Sequence, residues 1–205
     1  MGSSLPLMFV TWGLVLAAAT APSLGLSDEQ RYRLAAGDVV LLDVLPPGAG
    51  KSARGGTGVA IVRASREEVW RVLVDYRGHS RFYPRVVNVD VVRADERQAL
   101  VRYEVGIGPL SFAFHMLKYP DPLRHRIEWH LADDHANRLF HENSGYWQVD
   151  EATGGSLVTY AIAVRTILPA FATFGTERTS VVDTINGLRK LLEDGKGAVT
   201  RPGSS

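Results

Sequence analysis

The chain has no cysteine in its 205 residues, which excludes disulfides, thiolate metal sites and cysteine nucleophiles. It has no excess of charge of either sign. Lys and Arg number 23 against 22 Asp and Glu, a formal +1, and the two signs are interspersed. A basic footprint for nucleic acid and an acidic tail are therefore both missing. No nucleophile elbow, zinc-protease helix or dinucleotide fingerprint occurs. There are no internal repeats and no low-complexity tract. The uncharged apolar run Leu5 to Ala19 is shorter than the roughly 20 residues of a membrane span, and small residues follow it, so it suits a signal-peptide core. The expected division is a signal peptide or N-terminal anchor over 1–25, one globular domain over 26–194 and a polar, disordered tail over 195–205. Export to the periplasm or cell envelope is the expected location, with the signal cleaved or kept as an anchor.

What is present is enough apolar material, 45% of residues, for one ordinary core. Ser27 with Gln30 is a capping box, so a short helix is expected over Asp28 to Ala36, ended by Gly37. Val39 to Val44 and Val59 to Arg63 read as a hairpin with a flexible, Gly-rich tip running up to Gly58. Gly50, Lys51 and Ser52 in that tip match the last three positions of a phosphate loop. Position 45 is Leu where the first Gly is required, and Pro47, Gly55 and Gly56 oppose the helix such a loop needs.

Ser65 with Glu68 is a second capping box. Val69, Trp70, Leu73 and Tyr76 then give a short helix one apolar face. After Gly78 the chain carries His79, Phe82, Tyr83 and Pro84 into the β-branched run Val86 to Val92. Alternating segments continue through Leu100 to Gly106, Leu110 to Tyr119, Leu123 to Leu131, Arg138 to Val149 and Ser156 to Thr166, which predicts an antiparallel meander. Pro169 opens a last helix, striped by Phe171, Phe174, Val181, Ile185, Leu188 and Leu192.

Val69, Trp70, Val72, Leu73, Asp75, Tyr76, Phe82 and Pro84 resemble the motif of the polyketide cyclase/dehydrase and coenzyme Q-binding START-like proteins, V-W-x-V-L-x-D-Y followed by F-x-P. The resemblance covers about Leu26 to Asp194. It implies an α+β helix-grip fold, in which a curved antiparallel sheet wraps a long C-terminal helix around an internal cavity. It also supplies quinone binding and cyclase/dehydrase activity as precedents.

Strand alternation sorts side chains by face. Val101, Tyr103, Phe112, Phe114, Met116, Ile127, Trp129 and Leu131 should face the long helix, while Arg102, Glu104, His115, Arg126, Glu128 and His130 should form an outer face of cross-strand pairs. Leu139, His141, Asn143 and Gly145 share one face, so if Leu139 is inside, His141 and Asn143 are too; a single bulge would invert that assignment. Arg178 falls in the helix stripe between Phe174 and Val181, where it must snorkel, pair with Glu177 or Asp183, or meet a polar group at the cavity mouth. His130, Asp133, Asp134 and His135 lie at a strand end and turn and read as a surface turn before a metal site.

The candidate ligand-binding residues are Val101, Tyr103, Phe112, Phe114, Met116, Trp129, His141, Asn143, Tyr160, Phe171, Phe174 and Arg178. The density of large apolar side chains beside few acids or bases favours a carrier or binder of a lipid, isoprenoid quinone, sterol or polyketide. In that reading no residue is catalytic, no cofactor or metal is needed, nucleic acid is not a partner, and contact with a membrane surface would serve ligand exchange. Two readings compete: an aromatase/cyclase using Tyr103, His141 or Arg178 to polarise a carbonyl or move a proton, and a partner-binding module with a filled core. Export predicts that protein from the cell envelope starts after the apolar run or carries it as an anchor. N-terminal sequencing that finds the chain in the cytosol beginning at Met1 overturns that expectation.

Overall fold

Both capping boxes form. Ser27 and Gln30 satisfy each other's backbone at the start of α1 (Asp28–Ala35), and Ser65 and Glu68 do so at the start of α2 (Arg66–Val74). The computed structural model describes residues 25–167 and 176–197. After α2 comes a 3-10 turn, Tyr76–Arg81, and the last described element is helix α3, Thr176–Gly197. Around them lie β1 (Val40–Leu42), β2 (Arg54–Val62), β3 (Val86–Ala94), β4 (Ala99–Ile107), β5 (Leu110–Asp121), β6 (Arg126–Leu131), β7 (Phe140–Ala152) and β8 (Gly155–Thr166).

The strands form one eight-stranded antiparallel sheet in the order β1-β2-β8-β7-β6-β5-β4-β3. The meander from β3 to β8 follows the alternation in the sequence. The pairing of β2 with β8, from Arg54↔Val164 to Val62↔Ser156, does not. It makes strand of Arg54 to Gly58, which composition alone marks as loop, because a partner about a hundred residues away supplies the hydrogen bonds. The loop before β2 does not resemble a phosphate site in space. A strand follows it rather than a helix, and the Gly50 amide already donates to Glu142 Oε1 at 2.8 Å.

Since β2 and β3 lie near opposite edges of the sheet, α2 and the 3-10 turn carry the chain across its end. Val69 and Leu73 of α2 are fully buried, while Trp70 packs edge-on against His125 at 5.3 Å. Helix α3 lies on the inner face with Val181, Ile185 and Leu188 buried, which is the expected stripe. Two glycines set its height. A Cβ at Gly58 would stand 2.5 Å from Val181 Cγ1 and 2.7 Å from Ile185 Cδ1, and one at Gly187 would meet the Phe82 carbonyl.

The other face of the sheet carries the expected ion pairs. Arg102 reaches Asp90 across strands at 3.2 Å, whereas its contact with Glu104 at 3.5 Å and that of Arg126 with Glu128 at 2.7 Å lie within one strand. Such exposed pairs contribute little to stability. Among the described residues no helix is long and apolar enough to cross a membrane.

Gly58→Val should destabilise the fold by about 1 to 3 kcal/mol, because the new side chain wedges α3 off the sheet. Gly56→Ala should cost far less, since a Cβ there meets only the Leu42 carbonyl oxygen at 3.5 Å. Urea unfolding midpoints of the two variants check the difference.

Candidate functional site

A cavity lies between the sheet and the side of α3 that carries Thr179, Ser180 and Asp183. A chamber of about 250 Å³ is lined by Val105, Ile107, Leu139, Phe140, Ile162 and Val164 from the sheet and by Thr179, Ser180 and Asp183 from α3. A smaller one of about 120 Å³ is lined by Tyr83, Tyr103, Phe114, Met116, Lys118, Trp129 and Tyr160. Asn143, Ile162 and Ser180 line both, so the two chambers meet at these residues.

The sheet presents these side chains in register. Tyr103 pairs with Phe114, Val101 with Met116, and Lys118 with Trp129, and directly paired residues share a face. Gly145, opposite Trp129, leaves the space into which the indole lies: a Cβ at position 145 would stand 2.5 Å from Trp129 Cζ2. Ring contacts join Tyr103 to Phe114 (5.8 Å), Trp129 to Tyr160 (5.7 Å) and Trp147 to Tyr160 (4.2 Å). The wall is largely aromatic.

Buried polar groups in this wall are held in pairs. The Trp147 indole donates to Tyr83 Oη at 2.7 Å, and the Trp129 indole donates to Asn143 Oδ1 at 3.3 Å. His79, which is 1% exposed, lies 2.9 Å from the Leu73 carbonyl through Nε2 and 2.8 Å from Tyr103 Oη through Nδ1. A carbonyl can only accept, so Nε2 carries the proton and Nδ1 accepts from the tyrosine. Burial, with the nearby Lys118 charge adding to it, lowers the His79 imidazolium to about 3. Burial likewise raises the Tyr103 and Tyr160 hydroxyls well above their ordinary range.

Lys118 has no such polar partner among the described residues. Only 3% exposed, it lays its ammonium 4.5 Å from the Trp129 ring centre and 5.2 Å from that of Tyr103. Cation–π attraction offsets part of its desolvation. Burial still pulls it from the ordinary 10.5 down to about 7. Sequence reasoning overlooked it, although Phe112, Phe114, Met116 and Lys118 follow one alternation; His79 was hidden because the turn that buries it has no period.

The other sequence-derived residues divide. Val101, Tyr103, Phe114, Met116, Trp129, Asn143 and Tyr160 are buried on the inner side, and Phe112 is partly buried there. His141 is not inside. Phe140 pairs with Thr166 and Glu142 with Arg165, so His141 is the extra residue of a bulge and is exposed. The bulge turns Phe140 inward, edge-on to Phe114 at 4.9 Å, and restores Asn143 to the cavity. Arg178 is not in the apolar stripe either. Its side chain is 57% exposed and pairs with Asp43 at 2.8 Å, the partner being on the loop after β1 rather than on the helix. Phe171 and Phe174, like Pro169, lie outside the described residues. His130 contacts Tyr119 Oη and His135 contacts Asp134; among the described residues no group of three or more such side chains could hold a metal.

The family model described as polyketide cyclase/dehydrase and lipid transport matches residues 62–181. The chain belongs to this family. Its fold is the START-like helix grip, seen in the Zhui aromatase/cyclase from Streptomyces sp. R1128, which is 16% identical over 73% of this chain and 99% of its own, with a TM-score of 0.60. The STAR-related lipid transfer protein from Xanthomonas axonopodis is 15% identical over 76% of this chain and 98% of its own, at 0.59. A START superfamily protein from Mycobacterium smegmatis is 18% identical over 70% and 97%, at 0.54. No curated protein matches the chain in sequence. For this family member the START-like fold is a hydrophobic ligand-binding one.

Between pH 7 and 10 the unfolded chain keeps the Lys118 proton and the folded chain has lost it, so raising pH favours the folded state. Stability should therefore climb by about 2 kcal/mol from pH 7.5 to 9.5. Lys118→Met should remove that slope, which urea titrations of both proteins at the two pH values will read.

Proposed function

We propose that this protein is an exported, non-catalytic carrier of a hydrophobic small molecule such as a lipid, isoprenoid quinone, sterol or polyketide. The observation that carries the reading is the state of the polar groups around the cavity. Of the three residues that a cyclase would have used, His141 is exposed on a bulge and Arg178 is exposed and paired with Asp43. Only Tyr103 reaches the cavity, and its hydroxyl is committed to a buried, neutral His79. A largely apolar chamber whose candidate acid–base residues among the described ones are exposed or already paired suits retention of a ligand rather than its turnover. The apolar run Leu5 to Ala19, outside the described residues, supports export.

The aromatase/cyclase reading keeps one observation in its favour: Lys118 lines the smaller chamber, where an ammonium can polarise a carbonyl. The lipid transfer and aromatase/cyclase relatives carry precedents for both readings in their names.

Native mass spectrometry of protein from its own host, followed by organic extraction, should yield a co-purifying apolar compound. Ile162→Trp, placed where the chambers meet, should lower affinity for that compound at least about tenfold by occupying the space its apolar surface needs, with unfolding still cooperative. Chemical conversion of the compound by wild-type protein, abolished in Lys118→Met with affinity unchanged, would replace the carrier reading by the enzymatic one.

A further inference from the structure

Lys118 is a buried cation that no carboxylate among the described residues neutralises. Burial alone shifts its titration, with no carboxylate contributing, and its recorded partners are two ring faces. Asp183, the acidic residue lining the larger chamber, is exposed at the helix. Ring faces attract a cation but leave the ammonium hydrogens without acceptors. Leaving a buried ammonium in that state is costly unless an acceptor is supplied.

Asn143 repeats the pattern from the neighbouring strand. It is 6% exposed and uses Oδ1 to accept from the Trp129 indole. An indole nitrogen can only donate, which fixes the orientation of the amide: its NH2 group is the end left to donate. Lys118 and Asn143 both line the smaller chamber, and Asn143 also opens onto the larger one. Two buried side chains with spare donors, and no buried carboxylate among the described lining residues, describe a place for negatively charged oxygen. The larger chamber continues from that place along Val105, Ile107, Leu139, Ile162 and Val164, with Arg85 and Asp183 among its other lining residues.

Resting on the carrier reading above, we propose that the ligand is an amphipathic carboxylic acid, whose carboxylate is bound by the Lys118 ammonium and the Asn143 amide while its apolar body fills the larger chamber. A charge-assisted hydrogen bond in a desolvated site is worth substantially more than a neutral one. The site therefore discriminates the acid from a neutral molecule of the same shape. Lys118 is in this sense a specificity determinant, and its uncompensated burial is the cost of keeping that selectivity in the empty protein.

The test compares decanoate with decanol by isothermal titration calorimetry on the full chain at pH 6.5, where the acid is ionised. Wild-type protein should bind decanoate about tenfold or more tightly than decanol. Lys118→Met, which keeps the packing volume, should reverse the preference while leaving decanol affinity within about threefold. Asn143→Asp keeps an acceptor for the Trp129 indole and sets a fixed negative charge beside the ammonium; it should likewise abolish the acid preference. Decanol bound as tightly as decanoate by wild type, or a preference that survives in Lys118→Met, overturns the acid assignment and leaves the carrier reading standing. Binding of neither compound overturns the carrier reading for this chamber and the acid assignment with it.

Discussion

The seating of α3 on the sheet governs the rest of the molecule. Gly58 on β2 and Gly187 on the helix remove the two side chains that would hold the surfaces apart. Val181, Ile185 and Leu188 are then fully buried as the helix packs on β2 and β8. Beside that contact the sheet carries Phe114, Phe140 and Trp129, which with Tyr83 line the two chambers. Interior packing tolerates few voids larger than a water molecule. A chamber of about 250 Å³ nonetheless remains between the sheet and the helix face that carries Thr179, Ser180 and Asp183.

Such a chamber must also manage the polar atoms of the aromatic residues that build it. Tyrosine and tryptophan supply large apolar surface, but each brings a hydroxyl or indole N–H that needs a partner when buried. The pairs Trp147–Tyr83, Trp129–Asn143 and Tyr103–His79 meet that need without exposing a charge. They also link the 3-10 turn to β4 and β7, so the turn is held by polar bonds as well as by ring contacts. Lys118 stands apart because, among the described residues, its ammonium meets ring faces and no carboxylate. Within a family whose members include lipid transfer and aromatase/cyclase proteins, function follows from such local chemistry rather than from the fold.

Several features could be read in the sequence because they depend on neighbours in the chain. Capping boxes at Ser27 and Ser65 involve residues three apart, and both formed. Alternation in β4, β5 and β6 has period two, and it assigned Val101, Tyr103, Phe114, Met116 and Trp129 to the inner face. The same alternation reaches Lys118, which the sequence reading did not single out. The α3 stripe at Val181, Ile185 and Leu188 was likewise visible from helical spacing.

Other features depend on partners distant in the chain, and only the folded structure decides them. The pairing of β2 with β8 converts a glycine-rich stretch to strand, because hydrogen-bonding partners come from the far end of the domain. The bulge at His141 shifts one residue out of phase without any composition signal, since any residue can occupy it. Arg178 is drawn to Asp43 by a contact between α3 and the loop after β1. Local periodicity determined the elements and most of their faces; the close approach of α3 to Gly58, and with it the cavity, required the tertiary structure, because a void is set by the distance between surfaces and not by either surface alone.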